Sequence, residues 1–354
     1  MWLDTPKECK DNAGDFMSAS LAVHYRPNTF EEVCGQTVTV KILKRQLELR
    51  QFKNCYLFCG ASGCGKTTIA RIFANEINNY VGEPIEIDGA SNNGVDNVKQ
   101  IIKSASERAL DGKYKIYIID EAHMLTVQAW NAFLKCIEEP PAYTIFIFCT
   151  TDPQKIPATI LNRVQRFNFN KIDSFTIKNR LTYICTNEGF NNFADACDYI
   201  SRTCNGQMRD AIATLEKCAG YSDNLSMENV LAVLGDYSYS TMFSLVNAII
   251  DGNERTVIRI LQDIYNGGSD IKLFINQFLS FVLNIQKYII CGIDVTQFPI
   301  TVKTELEKST NFDNSLGFYS YLSNEILSLK NMIKNDVDAI TTVNVYMLKM
   351  CRLQ

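Results

Sequence analysis

The amino-acid sequence predicts an α/β domain built on a parallel β-sheet and followed by two helical domains. Short apolar runs rich in β-branched and aromatic residues alternate with helical stretches from Cys55 to about Lys171, the pattern of βα units on a buried parallel sheet. One strand-to-helix junction carries the glycine-rich string GASGCGKT at positions 60–67. Beyond Lys171 the strand-like runs stop and apolar residues keep only helical spacing.

Taken in order, residues 1–19 are polar and without clear periodicity, and are expected to be a disordered appendage. The five strand-like runs are CYLFCG, PIEID, KIYIIDEA, TIFIFCTT and the weaker QRFNF, which places the α/β domain at 20–170. SFTIKNRLTYICTNEGF and FADACDYISRTCNG each end on a glycine stop. QMRDAIATLEKCAG follows, then SMENVLAVLG with Ser226 in place to cap its start, giving a small helical domain at 171–235. STMFSLVNAIIDG, ERTVIRILQDIYNGG, IKLFINQFLSFVLNIQKYII and NEILSLKNMI predict a further helical domain at 236–354.

The 354 residues, 46% hydrophobic and 21% charged, describe an ordinary globular chain of two or three domains. Net charge is −4, so whole-molecule attraction to nucleic acid or anionic lipid is absent and any DNA contact must be local. Thirteen cysteines lie scattered through apolar segments and read as reduced thiols. No CxxC occurs and only His24 and His123 supply imidazoles, so a structural zinc site is not expected. No apolar run approaches the ~20 residues of a membrane span, and the N-terminal residues lack a signal-peptide core. The chain is expected in the cytoplasm, without a membrane partner.

Gly60, Ala61, Ser62, Gly63, Cys64, Gly65, Lys66 and Thr67 satisfy GxxxxGK[ST] between an apolar strand and a helix, with Thr68 next. Such a loop turns its backbone N–H groups onto the phosphates of ATP, Lys66 reaches the β- and γ-phosphates, and Thr67 ligates Mg²⁺. Cys64 is read as a small loop filler rather than a redox switch. The buried strand KIYIID ends in Asp120 and Glu121, a metal-side carboxylate and one able to polarise a water for in-line attack. A solvated acidic strand end is the plainer reading, and the upstream loop argues against it. His123 is expected to be structural, because Glu121 already fills the role of base. Thr151 ends the next strand, where spacing does not separate a water-orienting hydroxyl from a turn residue.

HYRPNTFEEVCGQ, GASGCGKTT, IYIIDEAHMLTVQAWNAFLKCIEEPP, FIFCTTDPQKIPATILNRVQRF and NGQMRDAIATLEK occur in this order between Tyr25 and Gly235. The string closely resembles the gamma/tau subunits of bacterial DNA polymerase III clamp loaders and, less closely, the small subunits of eukaryotic replication factor C. The resemblance implies an AAA+ P-loop domain, a helical lid at 171–235 and a helical collar at 236–354. It implies that Tyr25, Arg26, Pro27, Val33, Cys34 and Gln36 pack around adenine, that Thr151 is sensor 1, and that Met208 and Arg209 belong to sensor 2. Arg163 matches the arginine that reaches into a neighbouring subunit's ATP site. Sequence spacing alone does not separate such a finger from a surface ion pair.

The implied activity is ATP-driven opening and placement of a sliding clamp on primer-template DNA, with other clamp-loader subunits in a five-membered ring, homo- or hetero-oligomeric. Asp88 to Lys99 reads as a polar loop opening a helix, whose N-terminus would meet DNA phosphate; an ordinary capped helix start is the plainer alternative. Two other functional classes stay open: a non-hydrolysing structural subunit, and an AAA+ motor on branched DNA. The chain also departs from the bacterial pattern. Arg71 to Glu86 contains no cysteine where the bacterial subunit inserts a four-cysteine zinc module, and Asn162 and Val164 flank Arg163 in place of Ser and Cys. The long tau extension is not expected after Gln354, and the whole reads as a divergent version of the kind a phage or mobile element carries.

Overall fold

In the computed structural model, the described residues are 20–352 except 109–110, 236, 268–269, 297, 299–301, 335 and 337. The expected appendage at 1–19 lies outside the described residues. Two compact units emerge, one holding the chain to Ile184 plus Cys204–Glu216, the other Cys185–Thr203 and Lys217 onward.

The first unit is organised by five parallel strands, β1 (Cys55–Gly60), β2 (Ile85–Asp88), β3 (Lys115–Asp120), β4 (Thr144–Thr150) and β5 (Gln165–Phe169), in the order β2-β3-β4-β1-β5. They are the five predicted runs. β1 lies between β4 and β5, pairing Cys55 with Phe146 and Gly60 with Phe169. Alternation along each strand feeds two cores. Tyr56, Phe58, Ile118 and Ile147 face one side with Ile69 and Phe73, while Leu57, Ile119, Phe146 and Phe148 face the other with Trp130 and Phe133.

Helices of this unit follow the strand order: α1 (Leu21–His24), α2 (Thr37–Leu49), α3 (Lys66–Ile77), α4 (Val95–Ala105), α5 (Val127–Glu138) and α6 (Ala158–Leu161). α5 starts where Thr126 accepts a hydrogen bond from the Ala129 N–H, an ordinary N-cap. α7 (Ser174–Glu188) passes from the first unit into the second; α8 (Ala194–Thr203) and α10 (Met227–Leu234) belong to the second, while α9 (Met208–Ala219) belongs to the first as far as Glu216. Ser226 caps α10 as its sequence suggests, and Gly235 closes it in the left-handed conformation.

The rest of the second unit is α11 (Tyr239–Ile250), α12 (Glu254–Asn266), α13 (Ile271–Cys291), α14 (Lys303–Thr310), α15 (Ser315–Ile333) and α16 (Ala339–Cys351). α13 corrects the reading that no segment approaches a membrane span: its 21 residues are long and apolar enough by length and composition. Asn276, Gln277, Ser280 and Asn284 interrupt the apolar run in the sequence and hide its length. Phe274, Ile275, Phe278, Val282 and Ile285 of α13 are fully buried in a core shared with Leu322 and Ile326 of α15 and Val343 and Met347 of α16, so this stripe is occupied by helix packing.

Candidate functional site

A cavity of about 410 Å³ in the first unit opens over the carboxyl end of the sheet and the start of α3, where a parallel α/β sheet receives its ligand. Ser62, Gly63, Cys64, Gly65, Lys66, Thr67 and Thr68 line it, with Tyr25, Arg26, Pro27, Val33 and Cys34 from the N-terminal segment, Asp120 and Glu121 from β3, and Met208 and Arg209 from α9.

The loop owes its shape to its glycines. Gly63 and Gly65 adopt φ of +66° and +98°, which side-chain-bearing residues avoid. A Cβ on Gly60 would lie 2.4 Å from the Phe169 carbonyl oxygen and 2.8 Å from its Cβ, because β1 and β5 are in register there. Gly60→Ala is therefore expected to force the two strand ends apart, cost about 1–3 kcal/mol and weaken ATP binding. Thermal unfolding with a fluorescent-nucleotide titration checks this; unchanged melting and affinity would refute it.

Lys66 is only 6% exposed, and its Nζ donates to the Gly60 and Ala61 carbonyls, each at 2.9 Å. These contacts aim the ammonium across the mouth of the loop. Cys64 is buried, its Sγ donates to the Ala61 carbonyl, and burial raises its thiol above the ordinary value. Both features oppose thiolate chemistry.

Thr67 Oγ1 donates to Asp120 Oδ2 at 2.7 Å, although β4 separates β1 from β3 in the sheet. Two hard oxygen donors thus meet where α3 begins. Mg²⁺ is commonly held by one or two such groups plus waters and phosphate oxygens, so the residues present fit the ion. Glu121 follows in a left-handed conformation, φ +46°, which swings its side chain out of the strand direction; its N–H donates to Asp120 Oδ1 at 2.9 Å. Glu121 Oε2 lies 3.3 Å from His123 Nδ1 and 3.4 Å from Thr151 Oγ1.

The cavity also holds residues that sequence reasoning missed: Arg71, Glu86 and Arg180. Arg71 was discoverable, since it stands one helical turn after Thr67 and Thr68 on the same face of α3. It pairs with Glu86 on β2. Arg180 on α7 donates to the Tyr25 carbonyl at 2.9 Å and lies 5.1 Å from the Tyr183 ring centroid. Arg26 donates to Thr68 Oγ1 at 3.1 Å, and burial, followed by the nearby Arg71 charge, lowers its pKa. Arg26, Lys66, Arg71, Arg180 and Arg209 face Glu86, Asp120 and Glu121 here, so the cavity carries excess positive charge on an acidic chain. That local balance suits a polyphosphate.

Other expected residues stand elsewhere. Gln36 is outside the cavity lining and works as a strut: its Nε2 donates to the Asn170 and Cys64 carbonyls while its Oε1 accepts from the Asn170 N–H. Gly60 and Ala61 lie beneath the lining as acceptors for Lys66. The Met208 N–H donates to the Gly63 carbonyl at 3.1 Å, which brings Arg209 over the loop. Arg163 is remote from its own cavity; its Nη2 lies 2.8 Å from Glu138 Oε1 and its Nη1 donates to the Thr159 carbonyl at 2.7 Å. Asp88 ends β2 and accepts from the Ala90 and Ser91 N–H groups, while Gly94 at the N-cap of α4 brings no side-chain acceptor to that helix start.

Residues 79–173 match the family model of the DNA polymerase III delta subunit, and residues 225–317 match that of DNA polymerase III subunits gamma and tau domain III. The chain is 35% identical over 286 residues to DNA polymerase III subunit tau of Bacillus subtilis, a match covering 75% of this chain and 51% of that protein. It is 31% identical over 287 residues to DNA polymerase III subunit gamma of Buchnera aphidicola, covering 75% of this chain and 79% of that protein. The chain spans about half the length of several curated relatives it matches. Among solved structures, the Holliday junction branch migration motor RuvB of Thermotoga maritima is similar, with a TM-score of 0.52 and 20% identity over 64% of this chain and 80% of that one. At that identity the likeness speaks for the fold, an AAA+ P-loop domain with helical domains after it.

Proposed function

Since the chain belongs to the DNA polymerase III gamma/tau subunit family, we propose that it is an ATP-hydrolysing subunit of a clamp loader that opens a sliding clamp and places it on primer-template DNA in the cytoplasm. The observation that carries this reading is the convergence of Lys66, Thr67, Asp120, Glu121 and Arg209 on one cavity, with Thr67 and Asp120 in contact. A subunit that only completes a ring has no need of that arrangement.

In this reading the loop N–H groups and Lys66 bind the phosphates, and Arg26, Tyr25, Pro27, Val33 and Cys34 enclose the base. Glu121 accepts the proton of the attacking water, Thr151 stands beside it, and Arg209 offsets charge developing on the γ-phosphate. Mg²⁺ held by Thr67 and Asp120 would neutralise charge between the β- and γ-phosphates. Arg163 serves a neighbouring subunit's site. The division at 171–235 and 236–354 into lid and ring-forming collar belongs to the same proposal, as does contact of the Asp88–Lys99 segment with DNA phosphate.

The deciding measurement is phosphate release by the assembled complex with sliding clamp and primed DNA. Clamp- and DNA-stimulated release is expected, and capture of the clamp by the complex in the presence of an ATP analogue. Unwinding or branch migration without clamp binding would instead favour a branched-DNA motor, and release unaffected by disabling Lys66 would favour a structural subunit.

A further inference from the structure

His123, read from the sequence as a structural residue, stands between two polar side chains in the structure. The imidazole side chain is 12% exposed, and its Nδ1 stands 3.3 Å from Glu121 Oε2 and 3.3 Å from Thr150 Oγ1. Thr150 ends β4, is fully buried, and its Oγ1 already accepts from the Asp152 N–H at 3.1 Å. Its hydroxyl proton is therefore free to point at the imidazole. One nitrogen thus faces a carboxylate that can only accept and a hydroxyl that can donate.

The two contacts draw on Nδ1 differently: Glu121 can use only a protonated Nδ1, whereas the Thr150 hydroxyl can pair with either state. With a proton on Nδ1, the ring has an N–H to offer the Glu121 carboxylate 3.3 Å away, although the contact with hydrogen-bond geometry in this structure is the one to Thr150. With the proton on the other nitrogen, Nδ1 accepts from Thr150 and offers Glu121 nothing. Glu121 has few other restraints: its side chain is 41% exposed, and its second Oε2 neighbour is the Thr151 hydroxyl at 3.4 Å. Its backbone φ of +46° already departs from the strand, so the carboxylate direction depends on what grips its far end.

We propose that His123 is the positioning residue for Glu121, its Nδ1 setting the direction in which that carboxylate meets the attacking water, with Thr150 as the partner that competes for the same nitrogen. This rests on the reading of Glu121 as the base in ATP hydrolysis. No contact between His123 and nucleotide is required, and His123 is not among the cavity-lining residues.

The test exploits side-chain geometry. The amide nitrogen of asparagine falls where Nδ1 lies, whereas that of glutamine falls nearer Nε2. Steady-state ATP hydrolysis by the assembled complex, stimulated by clamp and primed DNA, is measured for Glu121→Gln, His123→Ala, His123→Asn and His123→Gln. The expected result is a fall in kcat of about tenfold for His123→Ala, the size of losing one hydrogen bond to a charged group, with KM for ATP unchanged. His123→Asn recovers most of that loss and His123→Gln does not. Should the alanine variant fail to assemble, the Asn and Gln pair decides alone. Equal rates for Asn and Gln, or a change in KM without one in kcat, would overturn the proposal. If Glu121→Gln itself left hydrolysis intact, the ATPase reading would fail first, and the two failures are thus told apart.

Discussion

Arg163→Ala is expected to lower ATP turnover by the assembled complex about 10³-fold or more, the range found for an arginine supplied in trans, while leaving nucleotide affinity unchanged. Arg163 stands away from its own cavity, beyond α6, and its guanidinium is directed to Glu138 and the Thr159 carbonyl. The ion pair is about 40% exposed on each side, and pairs of that kind contribute roughly 0–1 kcal/mol. The variant should therefore fold and bind ATP normally, which separates a missing catalytic cation from a damaged subunit. Complexes mixing Arg163→Ala with Glu121→Gln chains should regain some activity where an intact acid meets an intact neighbouring arginine. Turnover that survives Arg163→Ala would remove the trans-acting role altogether.

Lys66→Ala is the second large effect. The side chain is buried, and its ammonium satisfies two loop carbonyls at once. Truncation removes a buried cation from the loop and takes one donor from each of the Gly60 and Ala61 oxygens, the latter keeping only the weak Cys64 thiol. We expect turnover to fall by at least about 10²-fold, as when one preorganised donor to a reacting oxyanion is lost, and ATP affinity to fall with it. Isothermal titration and phosphate release on the same preparation provide the check. Unlike Arg163→Ala, this variant should fail in binding as well as in chemistry, because in the proposed function Lys66 meets the phosphates in the ground state.

The strands and the phosphate loop were legible because each is a property of a contiguous segment. CYLFCG, KIYIID and TIFIFCT declare buried strands by residue type and length, and GASGCGKT declares its turn by where glycine is needed. α14 was not singled out, because its helical character is carried by few apolar positions: Leu306 and Ser309 are its buried residues. Membership of Arg71, Glu86 and Arg180 in the cavity was likewise missed, since none belongs to a motif and their meeting depends on α3, β2 and α7 converging. His123 shows the same limit from the other side. Its neighbour Glu121 is two residues away in the chain, but Thr150 reaches it only because β3 and β4 are paired.

By itself, then, the amino-acid sequence determined the five strands, most of the helices, the glycine-rich turn and the acidic strand end, all of which follow from local spacing and residue chemistry. Only the tertiary structure decided which of these segments share a cavity, that Gln36 braces the loop from outside it, and that Arg163 faces Glu138 instead of its own Lys66. The physical reason is the sheet order β2-β3-β4-β1-β5: side-chain neighbours across a sheet are set by long-range strand pairing, which no local period encodes.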